Sequence, residues 1–161
     1  MKEKVFGLLA LLLLLGSVSA LTDTNQTVFS ITVGSVCSLA SNTTTHDFTT
    51  VGENSYSSLA QINLTNTGNT PLNLSVWAAG DWSDGAGHSI PVGYLQWNST
   101  NVTGGCSFAD GAGTNLTNAN VTVYNGNLGQ FASIQMCYKA YVPPGQFAAT
   151  YTITSYHEAV C

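Results

Sequence analysis

Positively charged side chains are nearly absent from this sequence of 161 residues. Lysine and arginine together number three, namely Lys2, Lys4 and Lys139, and the formal net charge is −5. Proteins that bind nucleic acids neutralise several phosphates with such residues, and polybasic segments attract proteins to anionic lipid surfaces. The composition therefore excludes a nucleic-acid-binding protein and attachment to an anionic membrane surface by charge.

No hydrophobic run is long enough to cross a membrane. The longest, residues 6–15, covers about ten residues, whereas a spanning helix needs about 20. A short basic start precedes it and a Val-Ser-Ala triplet ending at Ala20 follows it, which is the pattern of a secretory signal peptide. We predict a cleaved signal peptide over residues 1–20 and one mature domain over residues 21–161, secreted or held at the cell surface.

Helical periodicity is also missing beyond the predicted signal peptide, where no window of about ten residues combines it with capping signals. Instead, residues 60–65 and 72–77 alternate apolar and polar side chains, which is typical of strands with one buried face. Between them, Gly68, Asn69 and Pro71 favour a turn. The simplest prediction is an antiparallel pair of strands joined by this turn.

Further short strand patterns recur along the chain, separated by turns rich in glycine, proline and asparagine. The predicted strands lie over residues 26–36, 47–51, 55–65, 90–97, 120–124, 131–142 and 147–156, with turns at residues 125–129 and 143–145. Several short strands at regular spacing indicate an all-β fold. We predict a single Ig-like or Greek-key β-sandwich of about seven to nine strands.

Four cysteines follow the predicted signal peptide, Cys37, Cys106, Cys137 and Cys161. An even number in an exported chain indicates disulfides, and four cysteines allow three pairings. Their spacing matches no zinc pattern such as C-x2-C. We favour Cys37–Cys161 with Cys106–Cys137, because the first and last strands of many sandwiches run side by side and parallel, which brings their ends to one edge.

Acceptor motifs for N-linked glycosylation are frequent. The N-x-[ST] triplets begin at Asn25, Asn42, Asn63, Asn73, Asn98, Asn101, Asn115 and Asn120. A chain rich in threonine and asparagine produces some of these triplets by chance, but their number indicates selection for a sugar coat. Asn63 and Asn73 lie on the polar faces of the predicted strand pair, where glycans would have to be.

Two turns resemble those of a known group of proteins. Residues 66–72, NTGNTPL, are similar to the N-T-G-N-x-P turn of exported Ig-like β-sandwich surface proteins of archaeal type, and residues 142–154 resemble their closing hairpin. The resemblance implies surface-layer accessories, adhesins or, in the TasA/camelysin-like branch, fibre subunits. Donor-strand fibre subunits carry a free N-terminal extension. Only residues 21–25 precede the predicted first strand here, so that role would require the first strand itself to be donated.

Aspartates on glycine-rich loops are the candidate metal ligands. Asp81 and Asp84 lie in one such loop and Asp110 in another, and Ca²⁺ prefers six to eight oxygen ligands. Asp-Gly sequences also form ordinary turns, and neither an EF-hand nor an RTX repeat is present. The histidines at positions 46, 88 and 157 are far apart in sequence. We therefore expect no cofactor, with the three aspartates as weak calcium candidates.

Aromatic side chains supply the candidate binding surface. Those considered for a sugar-stacking platform are Trp77, Trp82, Trp97, Tyr56, Tyr94 and Tyr124. Trp77 stands out because the period-two alternation places its side chain on the other face of the predicted strand from Leu74 and Val76. The competing interpretation is that tryptophans fill the sandwich core or cover a sheet edge. Trp77 and Trp82 are the binding residues that we predict for a carbohydrate-binding surface.

A catalytic constellation is missing from the sequence. There is no G-x-S-x-G motif, and Asp81 and Asp84 are too close in sequence to be presumed the paired carboxylates of a glycosidase. We therefore expect a non-enzymatic structural or adhesive protein, whose partners are itself or other cell-surface proteins. The alternatives are a carbohydrate- or surface-protein-binding module and a subunit of an extracellular filament.

Overall fold

The computed structural model of the protein describes residues 27–100 and 105–161, with the backbone alone at residues 124–127. The chain divides into two compact units, Met1–Val33 and Gly34–Cys161. The predicted signal peptide lies outside the described residues. All of the strands given below belong to the second unit.

Short strands make up nearly all of the regular structure in the described part of the chain. They are β1 (Leu39–Ser41), β2 (Ser55–Tyr56), β3 (Ala60–Asn66), β4 (Leu72–Ala78), β5 (Trp82–Ser83), β6 (Ser89–Ile90), β7 (Leu95–Thr100), β8 (Thr114–Asn115), β9 (Val121–Leu128), β10 (Ser133–Val142) and β11 (Ser155–Val160). A single 3-10 turn at Val92–Tyr94 leads into β7. Nowhere in residues 27–100 or 105–161 does a helix reach the length and hydrophobicity needed to cross a membrane.

The strands form two main antiparallel sheets. The larger sheet has the order β1-β3-β10-β7-β8, with β2 pairing to the end of β10, and the smaller sheet has the order β11-β4-β9. A short ribbon of β5 and β6 is connected by a bridge between Ser83 and Thr152 to the stretch before β11. The long strand β10 therefore organises the larger sheet, and β4 organises the smaller one.

One hydrophobic core is shared by the two sheets. From β10 it takes Ile134 and Met136, and from β4 it takes Leu72, Leu74 and Val76, all fully buried. Alternation at period two places these side chains on one face of each strand. Two antiparallel sheets with a common core form a β-sandwich, so the predicted all-β sandwich is confirmed.

A second, smaller core lies on the opposite face of β10. It contains Cys106, Phe108 and Cys137, with Leu59 packed against them. Gly113 permits this close approach, because a Cβ atom there would lie 2.6 Å from the ring of Phe108. Residues 105–113, called the strap below, thus cover part of the outer face of the larger sheet.

The predicted pairing of the strands around residues 66–71 is wrong, because β3 and β4 belong to different sheets. The fully buried side chain of Asn66 explains the difference. Its Nδ2 donates to the carbonyl oxygens of Thr70 and Leu128, at 2.9 and 2.8 Å, while its Oδ1 accepts from the N–H of Gly68. These bonds hold the chain in a crossing from one sheet to the other.

Several other strand predictions differ from the structure. Residues 27–38 and 47–51 form no strand, and β9 continues to Leu128 through the predicted turn at residues 125–129. The closing strand begins at Ser155, eight residues after the predicted start. A strand needs a neighbouring backbone to pair with, which the sequence pattern does not reveal; at the end of β9, for example, Leu128 pairs with Leu72 of β4.

Candidate functional site

Residues 27–33 form the most conspicuous exposed feature of the described chain, and they are called the exposed apolar segment below. The exposed fractions of Val28, Phe29, Ile31 and Val33 are 89, 90, 91 and 75%. The segment contains no strand, although Phe29, Ile31 and Val33 alternate with Ser30 and Thr32. A strand-forming pattern whose apolar side chains all face water is unusual on a protein surface.

The chain immediately after this segment is firmly held. The side-chain amide of Asn69 forms hydrogen bonds with the backbone of this stretch. Its Oδ1 accepts from Val36 N–H at 2.6 Å, and its Nδ2 donates to Gly34 O at 2.8 Å. The backbone of Gly68 lies so close that a Cβ atom there would be 2.1 Å from Val36 O. The turn at residues 66–71, which the sequence analysis singled out, is therefore the anchor for residues 34–38.

The disulfide between Cys37 and Cys161 connects this anchor to the end of β11. The second disulfide joins Cys106 in the strap to Cys137 in β10, and both pairings are the ones preferred from the sequence. β11 pairs with β4 on one side only, and no described strand pairs with its other side. Tyr156 and Val160 are exposed on β11. The unpaired edge of β11 therefore lies next to the Cys37–Cys161 disulfide.

The three calcium candidates are engaged separately. Asp84 organises its own loop: its Oδ1 accepts from the N–H groups of Ala86 and His88, and its Oδ2 pairs with His88 Nδ1. The hydrogen bond with His88 is the main reason that the pKa of Asp84 is lowered to about 2. Asp84 is thus a turn-stabilising residue in this structure.

The other acidic and histidine candidates do not gather around Asp84. Asp81 accepts from the N–H of Val92, and Asp110 pairs with Lys139 across the strap. In the described ranges, no group of three or more histidine, cysteine, aspartate or glutamate side chains is placed to hold a metal ion. Each of the three aspartates therefore has a partner of its own, and they do not converge on one point.

A partly buried polar pair lies between the two sheets. The hydroxyl oxygen of Tyr138 on β10 and Nε2 of His157 on β11 are 2.6 Å apart, within hydrogen-bonding distance. Burial raises the pKa of the Tyr138 phenol and lowers the pKa of His157 to about 4. Both groups are therefore neutral at pH 7, which suits a structural connection between the layers.

The predicted binding tryptophans have different surroundings. Trp77 stacks on Tyr156 of the neighbouring strand, with ring centroids 4.3 Å apart and an interplanar angle of 22°. Trp82 instead packs beside Phe48 and against the core. Trp97 is buried in the core, as the competing interpretation proposed. Trp77 and Trp82 are thus both partly exposed beside other aromatic rings, whereas Trp97 is not.

A tyrosine cleft lies at one end of the larger sheet and was only partly foreseen. Tyr141 lies between Tyr56 and Tyr94, with ring centroids 4.8 and 5.4 Å from theirs. The cleft measures about 550 Å³ and is lined by Tyr56, Pro91, Gly93, Tyr94, Gln96, Asn115 and Tyr141. Tyr56 and Tyr94 were candidates from the sequence, whereas Tyr141 was not. Tyr141 joins them through the pairing of β10 with β2, which is remote in sequence.

The sequon asparagines are on the surface wherever they are described. Asn42, Asn63, Asn73, Asn98, Asn115 and Asn120 are all exposed, while Asn25 and Asn101 lie outside the described residues. Exposure is what an oligosaccharide on each of them requires. Comparison with protein-family models, curated protein sequences and solved structures finds no match for this chain.

Proposed function

We propose that the protein is an exported, non-enzymatic structural protein of the cell surface whose copies associate by strand addition. In this proposal the exposed apolar segment of one copy pairs with an unpaired sheet edge, such as that of β11, in another. The observation that carries the proposal is the near-complete exposure of Val28, Phe29 and Ile31 in an alternating segment.

The energetics favour burial of this segment against a partner. Covering one Val, Ile or Phe side chain is worth about 1.5–3 kcal/mol, and several are exposed within seven residues. Strand addition also satisfies backbone N–H and C=O groups of both the incoming segment and the receiving edge. A repeat of the same pairing from copy to copy would build a filament, because a head-to-tail interface that does not close continues indefinitely.

Export and a sugar coat form part of the same proposal. The two disulfides suit an oxidising compartment outside the cytoplasm, and the exposed sequon asparagines suit glycosylation. The predicted signal peptide and the resemblance to exported Ig-like surface proteins point to the same location. With so few charges, glycans would supply much of the solubility of such a surface.

The experiment is a size distribution of the mature protein by light scattering, using material from its native source. We expect large regular particles, and the double substitution Phe29→Ser with Ile31→Ser should reduce them to monomers. Phe131→Asn is the matched control, because Phe131 is also exposed, at 71%, but lies outside the segment. A monomeric native protein, or particles that survive the double substitution, would refute the proposal.

Carbohydrate binding is a second candidate function, favoured by the stacked pair of Trp77 and Tyr156. Paired aromatic faces on a strand surface are suited to the apolar face of a sugar ring. Titration of the monomeric variant with oligosaccharides, followed by tryptophan fluorescence, tests it. A spectral shift that disappears on Trp77→Leu would support this function, and an unchanged spectrum would refute it.

A further inference from the structure

One sequon opens onto the tyrosine cleft. Asn115, in the triplet Asn-Leu-Thr, lies on β8 and is exposed, while the following Leu116 is fully buried in the core. Because Leu116 is anchored, the position of Asn115 on the sheet is well defined. Gln96, its partner on β7, donates from Nε2 to Asn115 Oδ1 at 3.1 Å. This bond orients the asparagine amide beside the cleft.

The cleft has the chemistry of a site for a neutral sugar ring. Its walls combine the rings of Tyr56, Tyr94 and Tyr141 with the amides of Gln96 and Asn115, and no charged side chain lines it. Aromatic faces pack against the C–H face of a pyranose, while amides bond its hydroxyls.

We propose that Asn115 carries an N-linked glycan whose first sugar lies in this cleft, a step that rests on the export and glycosylation in the proposed function. The donor is a polyprenyl phosphate- or diphosphate-linked sugar, supplied with its transferase by the host. A bond forms between Nδ2 and the anomeric carbon, and the bond from that carbon to the phosphate oxygen breaks. The phosphate keeps the electron pair and Nδ2 loses one proton. Asn115 Oδ1 stays free to accept from Gln96.

Asn115 is distinguished from the other described sequon asparagines by its surroundings. None of those at positions 42, 63, 73, 98 and 120 lines the tyrosine cleft. Asn120 instead uses its Nδ2 to donate to Glu158 at 2.6 Å. At Asn115, therefore, the nitrogen that would receive the sugar belongs to an amide oriented by Gln96, and it lies beside the aromatic lining of the cleft.

The glycan would also act on assembly. β8 is the last strand in the order of the larger sheet, and no described strand pairs with its outer side. A sugar attached within β8 and folded over the cleft hinders strand addition at that edge, since unpaired edges are the sites of edge-to-edge association. Association is thereby directed to the edges that lack this cover.

The test is a thermodynamic cycle on protein from a glycosylating host. Thr117→Ala removes the acceptor motif, whereas Thr117→Ser retains it and is the matched control. Mass spectrometry of the native glycopeptide should show Asn115 modified. We expect Thr117→Ala to lower the melting temperature by about 3 °C, and this loss should disappear when Tyr94→Leu is already present.

The same variants made in a host without N-glycosylation complete the cycle. There, Thr117→Ala should melt only slightly below Thr117→Ser, because it loses the hydrogen bond from the Thr117 hydroxyl to the carbonyl oxygen of Ala119 but no sugar. An unmodified Asn115 would overturn the inference, and so would a loss on Thr117→Ala that is equal with and without the Tyr94 ring. Failure here is distinguishable from failure of the proposed function, because particle size in the variants of Phe29 and Ile31 is measured independently.

Discussion

Residues 27–33 and Ala60–Asn66 are two stretches of equal length that alternate apolar and polar side chains, yet they have opposite surroundings. In the second stretch, β3, the exposed fractions of Ala60 and Leu64 are each 1%, whereas that of Ile31 in the first is 91%. β3 is hydrogen-bonded on both sides, by β1 and β10. The exposed apolar segment is paired with no described strand.

The difference teaches that alternation specifies a face that needs to be covered, without specifying what covers it. For β3, the cover is provided within the chain by the smaller sheet and by both neighbouring strands. For residues 27–33, we propose that the cover is a second copy of the protein. The two stretches should therefore respond differently to the same substitutions, under conditions that separate folding from association.

The largest contrast should come from matched truncations of the two stretches. Leu64→Ala removes a fully buried side chain and should reduce the free energy of unfolding by about 4 kcal/mol, because it leaves a cavity in the core. Ile31→Ala should change it by less than about 0.5 kcal/mol while weakening association. Urea unfolding of the dilute, dissociated protein measures both. A large loss of stability in Ile31→Ala would show that the segment is covered within its own chain.

A smaller effect should appear on acidification. His157 has a pKa of about 4 in the folded protein and about 6.5 when unfolded, so the unfolded chain binds more protons between these values. The free energy of unfolding should therefore fall by about 2 kcal/mol between pH 7 and pH 5.

Urea titrations at the two pH values measure this fall. His157→Gln should remove most of it, whereas Ile31→Ala should leave it intact, because residues 27–33 contain no titratable side chain. Asp84 contributes only at lower pH, where its stabilising interactions are lost as the pH decreases from about 3.8 to about 2. Equal slopes in the native protein and His157→Gln would contradict the assignment to His157.

The smallest effect should come from the anchor that ends the exposed segment. Asn69→Ala removes the two side-chain hydrogen bonds to Gly34 and Val36, while the backbone bond from residue 69 N–H to Val36 O remains, and it should cost about 1 kcal/mol because both lost bonds are at the surface. Asn69→Asp keeps the acceptor for Val36 N–H and should lose less. Amide hydrogen exchange at Val36 is the measurement, and unchanged protection in Asn69→Ala would show that the anchor depends on other contacts.

Much of the fold was predictable where the information is local. The strand Leu72–Ala78 was recognised within a residue of its bounds, and β10 within two, because each has a long alternating pattern that ends at a turn. The disulfide pairings followed from a general expectation about the first and last strands of sandwiches. The structure makes those pairs, although residues 27–36 do not form the strand on which the expectation relied.

The rest depended on contacts between residues remote in sequence. Asn66 looked like an ordinary turn residue, and its bond to Leu128, which directs the chain into the other sheet, joins positions 62 residues apart. The tyrosine cleft likewise requires the pairing of β2 with β10 and the end of the 3-10 turn. The glycine-rich loop around Asp84 suggested a metal ligand, but the carboxylate oxygens of Asp84 accept hydrogen bonds from Ala86 and His88 of the same loop.

The bridge between Cys37 and Cys161 has a mechanical consequence. A tensile force applied to residues 27–33 is transmitted to Cys37, where the chain offers two paths. One path is the backbone to β1, and the other is the disulfide to the end of β11. β11 is hydrogen-bonded along its full length to β4 in the centre of the smaller sheet. If copies join as we propose, the tension between them is carried into the interior of the sandwich, and the short strand β1 does not bear it alone.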